Sequence, residues 1–120
     1  MNAADIQELT GLVREFCEER DWDQFHNPKD LAIGISTEAN ELLDLFRFKS
    51  EEDMREIFAS TDKKIRVEEE LADTLFFVLR FAQMNNIDLK KILEDKLAKN
   101  GQKYPVEKIK GKNLKYTELD

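Results

Sequence analysis

Glu38-Ala39-Asn40-Glu41 and Glu70-Leu71-Ala72-Asp73 each place two carboxylates three residues apart. In a helix such residues share a face, pointing within roughly 60° of each other. The face is an unusual one for acids. Glu38 lies on the same side as Leu31, Gly34, Ile35, Leu42 and Leu45, and Val67, Thr74, Phe77 and Phe81 share the side of Glu70 and Asp73. A carboxylate turned toward an apolar stripe is costly unless it is compensated. Two arrangements would compensate it. Four converging acids can share a cation, or the helices can be rotated so that the acids pair with Arg66, Arg80 or Lys49. The spacing alone is weak evidence, because a chain with 26 acids produces such pairs by chance. Glu15 and Glu18 are one, toward the polar side of their helix. The apolar flanks set the two chosen pairs apart.

If a cation is shared, oxygen-only ligands suit Mg²⁺ or Mn²⁺ rather than Zn²⁺. A di-iron centre would want Glu-x-x-His pairs, and the one histidine, His26, falls in a connecting segment. Mg²⁺ keeps waters and completes its shell with phosphate oxygens, so the implied ligand is a phosphorylated small molecule. Lys96 and Asn100, four apart on one helix face, are candidates to meet it, with Lys103 and Tyr104 close behind. The same residues also read as a solvated helix end where lysines suit the dipole. Trp22 and Phe25 lie in an otherwise polar connection. They either plug the end of a bundle or wall a flat ligand such as a nucleobase.

The elements that must position these groups are helical. The chain has 120 residues, 41% of them apolar, enough for one domain and one core. Few glycines and prolines and no strand-like alternation predict an all-α fold. The apolar spacing predicts helices over about 3–19, 30–48, 51–58, 63–85 and 89–100. Asp62 is the expected cap of the long 63–85 helix, which is apolar nearly all round and so expected to be central and buried, with a face left for another subunit. Gly101 is the expected C-cap of the last helix. The predicted whole is a compact four-helix-type bundle over residues 1–104 with one short extra helix, followed by an extended, partly ordered C-terminal tail over 105–120. A net charge of −7 argues against a nucleic-acid polymer as partner. Cys17 is the only cysteine, so no internal disulfide is expected. No apolar run of about 18 residues suggests a membrane span, and no leader is evident at the N-terminus. The expected compartment is the cytoplasm.

With these pieces in hand the chain resembles a known family. Glu38-x-x-Glu41 with Glu70-x-x-Asp73 is similar to the signature of the all-α nucleoside triphosphate pyrophosphohydrolases, the MazG-like superfamily. Four further blocks, in matching order along nearly the whole chain, resemble its dCTP pyrophosphatase branch. They are Glu19 to His26, Leu45 to Lys49, Lys96-x-x-x-Asn100-x-x-Lys103-Tyr104-Pro105 and Lys115 to Leu119. The resemblance implies a helical homo-oligomer, a dimer or tetramer, that cleaves a (deoxy)nucleoside triphosphate to monophosphate and pyrophosphate with Mg²⁺. It implies that Glu38, Glu41, Glu70 and Asp73 are catalytic and hold the metal. It gives phosphate or sugar contacts to Lys96, Asn100, Lys103 and Tyr104, and the base pocket to Trp22, Phe48 and Phe77. The departures lie in that pocket. Val13 stands where the vertebrate enzymes of this branch carry a histidine that helps read the base, and Phe48 and Phe77 replace a Trp and a Tyr. Stacking is kept and polar readout is reduced, so a broader dNTP range is expected. The alternatives are another substrate within the superfamily, such as dUTP or phosphoribosyl-ATP, or a non-catalytic helical interaction module on the same fold.

Overall fold

The computed structural model describes residues 3–119. Among them are six α-helices, two 3-10 turns and no strand. Helix α1 spans Ala3–Glu19, α2 Pro28–Asp44, α3 Glu51–Ala59, α4 Thr61–Met84, α5 Leu89–Lys103 and α6 Val106–Ile109. The chain forms two compact units, one running to Asn86 and the other beginning at Ile87.

The first unit is organised by α4, which packs against α1, α2 and α3. Its core is small: Cys17, Leu31, Ile57, Val67, Leu79 and Ala82. Local chemistry fixes the ends of its helices. Asn27 caps α2 by accepting the Asp30 N–H at 2.8 Å, with Pro28 in the first turn. Ser50 and Asp53 form a reciprocal capping box at the start of α3. At α4 the cap is Ser60, which accepts the Lys63 N–H at 3.4 Å. Asp62 was the expected cap, and it sits inside the first turn, where its charge suits the dipole. Helix α2 ends at Asp44, short of the expected Phe48, because Leu45 to Phe48 close into tighter turns and Phe48 takes φ +61°. Burial of α4 is one-sided: Val67, Leu79, Arg80 and Ala82 are buried, while Leu71 and Leu75 are 57% and 45% exposed.

The second unit begins with α5, capped by Asp88 on the Lys91 N–H at 3.1 Å. Gly101 does not end it. The helix continues to Lys103 and stops at Tyr104, whose N–H donates to the Asn100 carbonyl at 2.8 Å, immediately before Pro105. Beyond Pro105 the tail carries the single turn α6 and a 3-10 turn at Tyr116–Glu118. The apolar stripe of α5, Ile92, Leu93 and Leu97, is exposed.

Candidate active site

Helices α2 and α4 carry the acids, and their approach is set by one glycine. A Cβ built on Gly34 would fall 2.5 Å from Cδ1 of the Phe77 ring. Only a hydrogen at that position lets α2 lie so close to α4. Gly34 is one turn before Glu38, and Phe77 is one turn after Asp73, so the same contact brings the two acid pairs together.

Glu38, Glu41 and Glu70 each offer a carboxylate oxygen, and these oxygens lie within 4.8 Å of one another. One oxygen of Glu38 and one of Glu70, both Oε2, are buried with no hydrogen-bond partner. Orphaned buried carboxylate oxygens call for an unprovided positive charge. The Glu38 carboxyl is pushed up to about 7, first by loss of water, then by the close carboxyl of Glu41 and the charges of Glu41, Asp73 and Glu70. Glu70 is raised as well, first by its contact with Glu41, then by burial, with Arg66 pulling the other way. This is the electrostatic state of acids held together with no cation paired to them. The rotated-helix arrangement is not adopted. Among the described residues, Lys49, Arg66 and Arg80 form no ion pair with these acids. The donor set and the orphaned oxygens fit a hard divalent cation. Asp73 stands outside this trio of oxygens and lines the adjoining pocket.

That pocket, about 420 Å³, is bounded by Val13, Phe16, Trp22, Phe76, Phe77 and the acids Glu38 and Asp73, with Leu12 at its edge. Its aromatic walls meet edge to face: Phe16 with Trp22 at 5.6 Å, Phe16 with Phe76 at 6.0 Å, and Phe76 with Phe77 at 5.3 Å. Apolar walls beside a cluster of acids suit a ligand with a flat apolar part and a charged part. The structure thus brings Trp22 and Phe77 together with the acids. Phe48 is not among the walls of the pocket. It is 94% exposed, with the Arg47 guanidinium 5.0 Å over its ring. Lys96, Asn100, Lys103 and Tyr104 belong to the second unit, where the Lys103 ammonium lies 4.8 Å over the Tyr116 ring and Tyr104 meets that ring edge-on.

Sequence reasoning missed the group that anchors Trp22. Arg80 is 1% exposed and is the one buried charged residue described. Its Nε donates to His26 Nδ1 at 2.9 Å, one terminal nitrogen donates to the Gln83 amide oxygen at 2.6 Å, and the other bonds Asp23. The guanidinium therefore clamps the 3-10 turn Asp23–Phe25 to α4, and Trp22 is the residue that precedes this turn. The clue in the sequence was an arginine flanked by Leu79, Phe81 and Ala82, a setting in which a charge must find partners. The Trp22 and His26 rings meet at 6.1 Å.

Residues 33–119 match the model of the MazG-like family. The chain belongs to that family. Among its relatives it is 33% identical over 114 residues to the dCTP pyrophosphatase 1 of Rattus norvegicus and 32% identical to that of Homo sapiens, in both cases over 95% of this chain and 67% of the relative. In fold it is similar to the crystal structure of a pyrophosphatase from Archaeoglobus fulgidus, with a TM-score of 0.77 and 36% identity, over 84% of this chain and 93% of that one. Membership and likeness together define the class: the chain is a nucleoside triphosphate pyrophosphatase on an all-α fold.

Proposed function

We propose that this chain is a Mg²⁺-dependent pyrophosphohydrolase that cleaves a (deoxy)nucleoside triphosphate, dCTP or a modified dCTP foremost, to the monophosphate and pyrophosphate. The observation that carries this reading is the convergence of Glu38, Glu41 and Glu70, two of them with orphaned oxygens, beside an aromatic pocket. The names of the relatives suggest the base.

Glu38, Glu41 and Glu70 would hold the ion, with Asp73 adding its carboxylate from the next turn; Mn²⁺ would suit the same oxygens. Bound there, a divalent ion supplies charge neutralisation for the polyphosphate and a lowered pKa for water. Glu38 or Glu41 would accept the proton from the attacking water. The water oxygen bonds to the α-phosphorus, the bridging α–β P–O bond breaks, and pyrophosphate leaves with the electron pair. Trp22 and Phe77 pack the base. Val13 offers it no hydrogen bond, so base discrimination is modest and dUTP is among the secondary substrates. Lys96, Asn100, Lys103 and Tyr104 are carried as phosphate- or sugar-contacting residues by resemblance alone. The enzyme works in the cytoplasm as a homo-oligomer, dimer or tetramer, clearing unwanted or modified nucleotides.

The test is to incubate the protein with each dNTP and Mg²⁺ and identify the products. Monophosphate and pyrophosphate are expected, with activity reduced on the order of a hundredfold in Glu38→Gln and Glu70→Gln. Diphosphate and orthophosphate would move the cut to another bond. No turnover on any nucleotide would leave a non-catalytic interaction module.

A further inference from the structure

A second cleft of about 410 Å³ opens in the first unit between the end of α2, α3 and the start of α4. Its charged lining is mixed: Lys49, Lys63 and Arg66 against Asp44, Asp53 and Glu56. The acids are largely committed. Asp44 pairs with Arg47 at 3.5 Å, and Asp53 accepts the Ser50 N–H at 3.0 Å in the α3 capping box. The cations are open. Among the described residues, none of the three makes an ion pair. Asp53 keeps its charge, held low by the Ser50 contacts with Lys49 and Lys63 nearby, so the cleft sets three cations that close no ion pair against acids of which two are already held by other partners.

Register ties the cleft to the metal-binding acids. Read toward its N-terminus, one face of α4 presents Phe77, Asp73, Glu70, Arg66 and Lys63, at spacings of four, three, four and three. That is one continuous stripe. It runs from aromatic wall, through acids, to cations. Helix α2 runs alongside in the opposite sense, from Gly34 against the Phe77 ring through Glu38 and Glu41 to Asp44 at the cleft. At 1.5 Å per residue, Arg66 is about 6 Å and Lys63 about 10 Å along the axis from Glu70. The aromatic pocket lies on the other side of the acids. A ligand laid along the stripe would be flat and apolar at one end, bridged by metal in the middle, and polyanionic at the other.

We propose that this cleft is the seat of the β- and γ-phosphates, with Arg66, Lys63 and Lys49 holding them in the substrate and holding pyrophosphate until it leaves. The assignment rests on the pyrophosphohydrolase reading of the acid cluster. Arg66 is suited to a bidentate grip on a phosphate and the two lysines to point-charge contacts.

The experiment measures pyrophosphate in two ways, by calorimetric binding with Mg²⁺ present and as a product inhibitor, in wild type, Arg66→Ala, Arg66→Lys, Lys63→Ala and Glu56→Gln. The side chains of Glu56, Lys63 and Arg66 are all exposed, so the fold is retained. Arg66→Ala and Lys63→Ala are each expected to weaken pyrophosphate about tenfold or more and to raise KM for the triphosphate to match. The inhibition constant of the nucleoside monophosphate should stay within about twofold, because that product never enters the cleft. Arg66→Lys should recover part of the loss, and Glu56→Gln should tighten pyrophosphate. Pyrophosphate binding unchanged in both alanine variants would overturn the assignment, as would equal weakening of mono- and triphosphate. A wild type that hydrolyses no nucleotide would sink the underlying reading. Pyrophosphate binding that is still lost in Arg66→Ala would then support the cleft as an anion seat in its own right.

Discussion

Glu38 is the residue whose state most depends on what it is given to bind. Its carboxyl titrates near 7 in the folded chain against an ordinary value of 4.5. The folded state therefore binds more protons than the unfolded state across that window, and the metal-free protein loses stability as pH rises through it. Glu38→Gln removes the cause. It is expected to raise the melting temperature of the metal-free protein by about 5 °C near pH 8 and to change it little near pH 4. Melting curves of both proteins across pH, with chelator, check this; a variant less stable than wild type near pH 8 would contradict it. His26 works in the opposite direction. Its Nδ1 accepts from Arg80, and burial, followed by the Arg80 charge, holds its pKa below the ordinary 6.5. The unfolded state then binds the extra proton, so this contribution is complete above about pH 6.5 and fades as pH falls. Trp22 is the only tryptophan. Its emission is expected to shift below about pH 6 as the turn loosens, and His26→Gln should flatten that response.

At the scale of elements, the α2–α4 approach decides whether a site exists. Gly34→Ala places a methyl group against the Phe77 ring. The ring, held by Phe76 and the packing of α4, must move, at a cost of about 1–3 kcal/mol. The prediction is a lower melting temperature and weaker metal binding together. Phe77→Leu added to Gly34→Ala should restore stability, and circular dichroism with metal titration follows both. Much of this level was legible in the sequence. Three- and four-residue apolar spacing located five helices. Ser60 was missed because Asp62, two residues on, is equally good capping chemistry. The end of α2 was misplaced because Leu45, Phe46 and Phe48 continue a helical apolar pattern while the backbone has already turned. At the site, the acid pairs and Trp22 could be singled out from residue type and spacing, and Phe77 only through the family resemblance. The pairing of Arg80 with Asp23 and His26 could not, because it joins residues more than fifty positions apart. Nor could the position of Phe48, which a tertiary turn sets.

For the whole molecule, the small core leaves apolar surface to be covered. Leu71 and Leu75 on α4 face away from the packed side of the unit, and among the described residues no helix is long and apolar enough to cross a membrane. A second copy of the chain is the expected cover. Light scattering should return two or four times the 14.1 kDa chain mass, and Leu71→Glu should lower it. A single-chain mass for the wild type would contradict that. If Glu38, Glu41 and Glu70 meet to hold divalent metal, that binding can be measured in isolation. Titration of Mn²⁺ followed by electron paramagnetic resonance tests it most directly. Saturable binding is predicted for the wild type, weakened at least about tenfold in Glu70→Gln. Binding of equal strength in both proteins would contradict the account.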